Sequence, residues 1–132
     1  MGLIIDTDIF VNAEKSGRIP DFALLAEYGE AFVCAITVSE LLVGVHLADS
    51  AARRAKRSAF VELIISRITS LPFTNIEART HAQLFAELQA SGRRVGAHDL
   101  LIAATAVAHG HAVLTDNTKE FRQVPGLTVL SV

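Results

Sequence analysis

At 132 residues, with 51% hydrophobic side chains and a mean hydropathy of +0.40, the chain can fill one core and leave some apolar surplus for a partner. Fourteen acidic residues against twelve basic ones give a net charge of −2, which argues against a dedicated nucleic-acid scaffold unless some acids are withdrawn around a cation. No apolar run reaches the ~18 residues of a membrane helix, no secretion signal opens the chain, and a lone Cys34 excludes an internal disulfide, so a cytoplasmic protein with no membrane association is expected.

Leu3–Ile5 is a compact apolar run ending in Asp6-Thr7-Asp8, and a helical pattern follows toward Ser16-Gly17. Pro20 opens a short second helix, residues 21–28, closed by Gly29. Residues 31–36 read as a buried strand. Thr37-Val38-Ser39-Glu40 opens the next helix, to about residue 48. Residues 50–68 form a long amphipathic helix, basic early (Arg53, Arg54, Lys56, Arg57) and apolar later. A short strand over 71–74 precedes a helix over 76–90 that stops at Ser91-Gly92. Gly96 precedes His98-Asp99 and a very apolar helix over 100–109. Residues 112–115 are a fourth strand, and 127–130 a fifth after Pro125-Gly126. Strands separated by helices imply right-handed crossovers and a mainly parallel sheet. With no repeat or linker, residues 1–132 are expected to be a single α/β domain.

In such sheets, sites gather beyond the carboxyl ends of the strands, where strand order reverses. Two strands end alike, Leu3-Ile4-Ile5-Asp6 and Ala112-Val113-Leu114-Thr115-Asp116. If they are neighbours, both carboxylates leave the same sheet edge. Each aspartate alone also fits a helix cap or a turn. Thr37-x-x-Glu40 matches a capping box, yet Glu40 sits on a helix that is apolar nearly all round, a costly place for an unpaired carboxylate. Gly44, one turn further, leaves space for another backbone or a substrate. Asp99 opens an apolar helix, where the dipole favours an acid anyway. Ile102, Ala103 and Ala106 on the same face permit close approach to the sheet.

Should Asp6, Glu40, Asp99 and Asp116 converge, two like charges 4 Å apart would repel by about 4 kcal/mol at an effective dielectric near 20. A cation resolves this. Oxygen-only ligands suit Mg²⁺ or Mn²⁺, which activate water and stabilise phosphoryl charge. The implied reaction is hydrolysis of a phosphodiester. Setting those four acids aside leaves ten against twelve basic residues, so the charge balance no longer opposes RNA.

These segments resemble a known family. Leu3-Ile4-Ile5-Asp6-Thr7-Asp8 looks like the opening of PIN domains, Ser39-Glu40-Leu41-Leu42-Val43-Gly44 like their second motif, and Gly92 through Ala103, containing His98-Asp99-Leu100, like their third. Leu114-Thr115-Asp116-Asn117-Thr118-Lys119-Glu120-Phe121, followed by Val124-Pro125-Gly126-Leu127, is similar to the C-terminal motif of VapC-type toxins. The resemblance covers essentially the whole chain. It implies a PIN-like three-layer sandwich with a five-stranded, mainly parallel sheet flanked by helices. It further implies a Mg²⁺- or Mn²⁺-dependent endoribonuclease, a homodimer and a cognate antitoxin that inhibits it. Asp6, Glu40 and Asp99 carry over as metal ligands. Asp116 is the expected fourth acid, with Glu120 as the alternative and Asn117 as a helper. Asp8, where the family more often has asparagine, is read as a helix cap.

Arg93 and Arg94, just before Asp99, are candidate substrate contacts, whereas Arg53, Arg54, Lys56 and Arg57 read as a solvated helix face. None of the five histidines has zinc-ligand spacing, and His98 reads as structural. Two alternatives stand beside the nuclease. An aspartate-nucleophile phosphatase would use Asp6-Thr7-Asp8 as its Asp-x-Asp pair. A catalytically silent PIN-like binding module would keep the fold for a partner alone.

Overall fold

The computed structural model describes residues 1–18 and 26–131. Its strands β1 (Leu3–Ile5), β2 (Ala31–Cys34), β3 (Thr69–Leu71), β4 (Ala112–Leu114) and β5 (Val129–Leu130) form one sheet. Their order is β3-β2-β1-β4-β5, with every neighbouring pair parallel. The described helices are α1 (Thr7–Ser16), α2 (Ala35–His46), α3 (Ala51–Arg67), α4 (Asn75–Ala90), α5 (Ala97–His109) and a single turn, α6 (Thr118–Phe121). The five-stranded parallel sheet expected from the alternation is therefore observed. Strand order reverses between β1 and β4, which places a crevice at the carboxyl end of β1.

Side chains alternate across the strands and divide the interior into two layers. Leu3, Ile5, Ala112 and Leu114 face Ile9 and Phe10 of α1, Leu41 and Val45 of α2, and Val61 and Ile64 of α3. Ile4 and Val113 face Leu84 and Leu88 of α4, Leu100 and Ile102 of α5, and Phe121 of α6. All three β1 residues are wholly buried. Each such side chain contributes about 1.5–3 kcal/mol relative to exposure. Along α5, Ala103, Ala104 and Ala106 have no exposed surface, so small side chains do let this helix press close.

Several boundaries differ from the sequence reading, each for a local reason. The helix expected over 21–28 falls largely on residues 19–25, outside the described residues; its described end, Ala26–Tyr28, is one 3-10 turn. The second strand stops at Cys34 and α2 begins at Ala35, two residues early, because Cys34 itself takes the extended cap conformation. Thr37 is then already inside the helix and wholly buried, so it cannot be the cap. The third strand lies at Thr69–Leu71 rather than 71–74. Pro72 has no amide hydrogen for a ladder, and Thr74 is occupied as the cap of α4.

A capping box operates at that cap and not at Thr37. Glu77 Oε1 accepts from the Thr74 amide at 2.7 Å and from the Thr74 hydroxyl at 2.8 Å, while the hydroxyl accepts from Ile76 N. Glu77 is almost fully covered, and its Oε2 lies 3.1 Å from His109 Nε2, tying the start of α4 to the end of α5. The Thr74 amide holds the Glu77 carboxyl below its ordinary range. Thr74→Ala is expected to lower the unfolding free energy by about 1 kcal/mol. Glu77→Ala should cost more, because His109 loses its partner as well. Urea denaturation checks both, with midpoints moving and slopes unchanged.

Candidate active site

β1 and β4 pair in register, Ile5 opposite Leu114, so the next residues, Asp6 and Thr115, meet at the sheet edge. Asp6 is 4% exposed and caps α1, its Oδ1 accepting from Thr7 N at 2.8 Å. Its Oδ2 accepts from the buried Thr115 hydroxyl at 2.7 Å. That hydroxyl also accepts from Asn117 N at 2.9 Å. Thr115 thereby links the end of β1 to the turn entering α6.

Glu40 reaches the same crevice from α2. Its Oε1 accepts from the Thr7 hydroxyl at 2.8 Å, and the Thr7 and Thr37 hydroxyls stand 3.0 Å apart. Its Oε2 is 3.3 Å from His98 Nδ1. The capping-box alternative for Glu40 is not observed. The space expected at Gly44 is covered by Arg57, whose Nη1 donates to Gly44 O at 3.2 Å.

Asp99 lies in the first turn of α5, and its carboxylate and that of Glu120 of α6 both lie beside Gly96. Glu120 is gripped by the Gly96 amide on Oε1 and by Asn117 Nδ2 at 2.5 Å on Oε2. A side chain at Gly96 would bring a Cβ within 3.3 Å of Glu120 Oε1 and 3.7 Å of Asp99 Oδ2, so glycine is what lets the two acids close up. Asp116 is exposed and turns toward α1, its Oδ2 accepting from Asn12 Nδ2 at 2.5 Å. Its amide lies 3.3 Å from Asp8 Oδ2. The structure thus brings Asp6, Glu40, Asp99 and Glu120 around one crevice, with Asp8 and Asp116 along its α1 side.

The electrostatics reflect this crowding. Burial pushes the Asp6 carboxyl up to about 7; the Thr115 hydrogen bond opposes the shift, and the Asp8 and Asp99 charges add to it. Asp99 rises to about 6, again chiefly through burial, with Glu120, Glu40 and Asp8 contributing. Burial also raises Asp8, against the Asp116 amide. Glu120 moves the other way, held down by the Gly96 amide. Among the described residues, no three Asp, Glu, His or Cys side chains are drawn together as a ready ion cage. Carboxylates this close relieve their repulsion either with protons and hydrogen bonds or with a cation. A set of donors that is all carboxylate oxygen, with surplus negative charge, fits a hard divalent ion.

Arg93 and Arg94 flank this site differently. Arg93 is tied back, Nε to Ser91 Oγ at 2.9 Å and Nη1 to Gln123 O at 2.8 Å. Arg94 lines a cavity of about 620 Å³ with Phe85 and Leu100. Thr7, Thr115, Asn12 and Gly96 are the site residues that sequence reasoning missed. The capping reading of Asp8 does not hold, since Asp6 is the cap and Asp8 faces Thr115 and Asp116.

The protein is thus of the three-layer α/β class, with carboxylates gathered at the switch point of its parallel sheet. The chain belongs to the PIN-domain family, whose model matches residues 3–127. Ribonuclease VapC1 of Rickettsia felis is 41% identical over 132 residues, spanning 100% of this chain and 97% of that protein. Ribonuclease VapC5 of Mycobacterium tuberculosis is 39% identical over 114 residues, 86% of this chain and 82% of its own. Among solved structures, VapBC2 from Rickettsia felis, bound to a DNA fragment from its promoter, superposes with a TM-score of 0.89 at 27% identity, covering 100% of this chain and 99% of that one. VapBC-5 from Mycobacterium tuberculosis, of the VapBC family of toxin-antitoxin systems, gives 0.76 at 31% identity, with 99% and 97% covered.

The raised acids carry a pH dependence whose sign is fixed. Asp6 and Asp99 hold protons in the folded state at pH values where the unfolded chain has released them, so folding stability falls as pH rises. The metal-free protein is expected to melt at a higher temperature at pH 5 than at pH 8, the loss being steepest below about pH 6, where both acids contribute, and complete just above pH 7. Asp6→Asn should flatten that profile. Scanning calorimetry in EDTA is the check.

Proposed function

We propose that the protein is a VapC-type ribonuclease toxin that hydrolyses RNA phosphodiester bonds with Mg²⁺ or Mn²⁺ and is neutralised by a cognate antitoxin. The observation that carries this reading is the convergence of Asp6, Glu40, Asp99 and Glu120 on one crevice. The full-length identity to a VapC ribonuclease and the likeness to VapBC assemblies support it independently. A homodimer in the cytoplasm completes the reading.

Asp6, Glu40 and Asp99 are the proposed ligands. Glu120, beside Asp99 at Gly96, is the better fourth acid, and Asp116, turned to Asn12, borders the site beside Asp8. Bound there, a divalent ion supplies Lewis acidity for a water nucleophile and for phosphoryl charge. The chain's own part is to hold the oxygens still. Thr115 fixes one Asp6 oxygen and the Thr7 amide the other. The Thr7 hydroxyl fixes Glu40, and the Gly96 amide with Asn117 fixes Glu120. Hydrogen bonds that order carboxylates in this way reduce what must reorganise when an ion and a phosphate arrive.

Purified protein should cut a labelled total-RNA pool in Mg²⁺ or Mn²⁺ and not in EDTA. Asp6→Asn and Asp99→Asn should lose cleavage by about two orders of magnitude or more, as expected when an ion-assisted step is disabled. Glu120→Gln should cost more activity than Asp116→Asn; the reverse ranking would make Asp116 the fourth ligand. A saturating series of Mg²⁺ should also raise the melting temperature. Absence of cutting in either metal by folded, antitoxin-free protein would overturn the enzymatic reading.

A further inference from the structure

We infer that the groove between the carboxyl half of α1 and the start of α3 is a binding track for the phosphate backbone of single-stranded RNA. This rests on the nuclease reading for its direction toward the crevice, though its binding chemistry is separate. The groove has a volume of about 540 Å³ and is lined by Lys15, Arg18, Arg53, Lys56 and Arg57, with Glu14 as its acid. These cations fall into two groups. Arg53 is paired with Asp49, and Arg57 with Glu14 and Gly44 O, so both serve local structure. Lys15, Arg18 and Lys56 are exposed and have no side-chain hydrogen bond or ion pair among the described residues.

Two physical observations make this more than a solvated face. Arg53, Arg54, Lys56 and Arg57 occupy the first two turns of α3, the end at which the helix dipole disfavours positive charge. Asp49, Ala48 O and Glu14 hold Arg53, Arg54 and Arg57 there, whereas Lys56 has no such partner among the described residues to offset the unfavourable dipole. The groove and the acid crevice share α1. That helix begins at the crevice, at Asp6 and Asp8, and runs about 12 Å to Lys15, two turns from Asp8 on the same face. Arg57, at the far wall, binds the carbonyl of Gly44, one helical turn from Glu40. A strand whose scissile phosphate lies among the acids can continue along α1 onto Lys15, Arg18 and Lys56. Positive charge there also offsets the repulsion that the acid crevice exerts on an incoming polyanion.

The test uses the full-length protein and a fluorescent, unstructured RNA of about 12 nucleotides, in EDTA so that the strand stays intact. Anisotropy is recorded across a salt series for wild type and for Lys15→Gln/Arg18→Gln/Lys56→Gln. Arg79→Gln/Arg122→Gln serves as a charge control elsewhere on the surface. The groove variant should bind on the order of tenfold more weakly at low salt, and its log–log salt slope should be shallower by about 2, close to 0.7 for each lost phosphate contact. With metal added, its KM should rise while kcat stays near wild type, and the control should match wild type throughout. Equal affinity and slope for wild type and groove variant would overturn the track, and continued cleavage by both would leave the nuclease reading standing. Loss of binding to an acidic peptide with RNA affinity unchanged would also overturn it, assigning the groove to a protein partner. An anisotropy difference in protein that cuts no RNA would uphold the track while removing the proposed activity.

Discussion

The pairing of β1 with β4 is the constraint on which the site depends. Asp6 N donates to Leu114 O at 2.9 Å, and one residue on, Thr115 N donates to Leu130 O at 3.0 Å. The first sets Asp6 beside the end of β4, and the second ties Thr115 to β5. A slip of one residue would turn Leu3 and Ile5 into the layer built for Ile4, an inversion that two fully buried faces do not tolerate. The same burial that fixes register therefore fixes the separation of the Asp6 oxygens from the Thr115 hydroxyl. Hydrophobic packing, which has no directional chemistry of its own, ends up specifying a polar geometry.

Around that point the chain handles surplus negative charge unevenly. Glu120 is made comfortable as an anion by a backbone amide and an asparagine, while Asp6 and Asp99 are left desolvated. A cluster that stabilised every acid equally would have little affinity left for a cation, and one that stabilised none would hold protons too firmly. The division lets part of the site stay charged while the rest responds to what is bound. The α1–α3 groove, by contrast, gathers Lys15, Arg18 and Lys56 at the other end of α1.

Much of this was legible in residue order because long segments carry strong periodicity. The strand–helix alternation, the buried β1 and β4, and the alanine-rich face of α5 follow from apolar spacing, and so does the meeting of their ends if those strands are neighbours. The illegible parts are those decided by a single hydrogen bond. Thr37-x-x-Glu40 and Thr74-x-x-Glu77 look alike as text, yet only the second is a capping box, because Thr7 claims Glu40 from another helix. Asp116 and Glu120 are both plausible on spacing, which does not show that the Gly96 amide, across a loop, holds Glu120 while Asp116 turns to Asn12. Asp6 and Asp8 both fit a helix cap in the sequence, and only the structure shows that Asp6 takes that role. Gly44 read as open space, since sequence does not show where a long arginine side chain will lie.

The bond from Thr115 to Asp6 joins residues 109 positions apart. During synthesis β1 has no β4 to lie against until Ala112–Leu114 have been made. Because the crevice needs both, a growing or truncated chain that lacks β4 and α6 carries Asp6 and Glu40 without Thr115 or Glu120 beside them. Distant strand pairing is slow to form for the same reason of loop closure. The topology therefore completes the crevice only once β4 and α6 are present alongside β1.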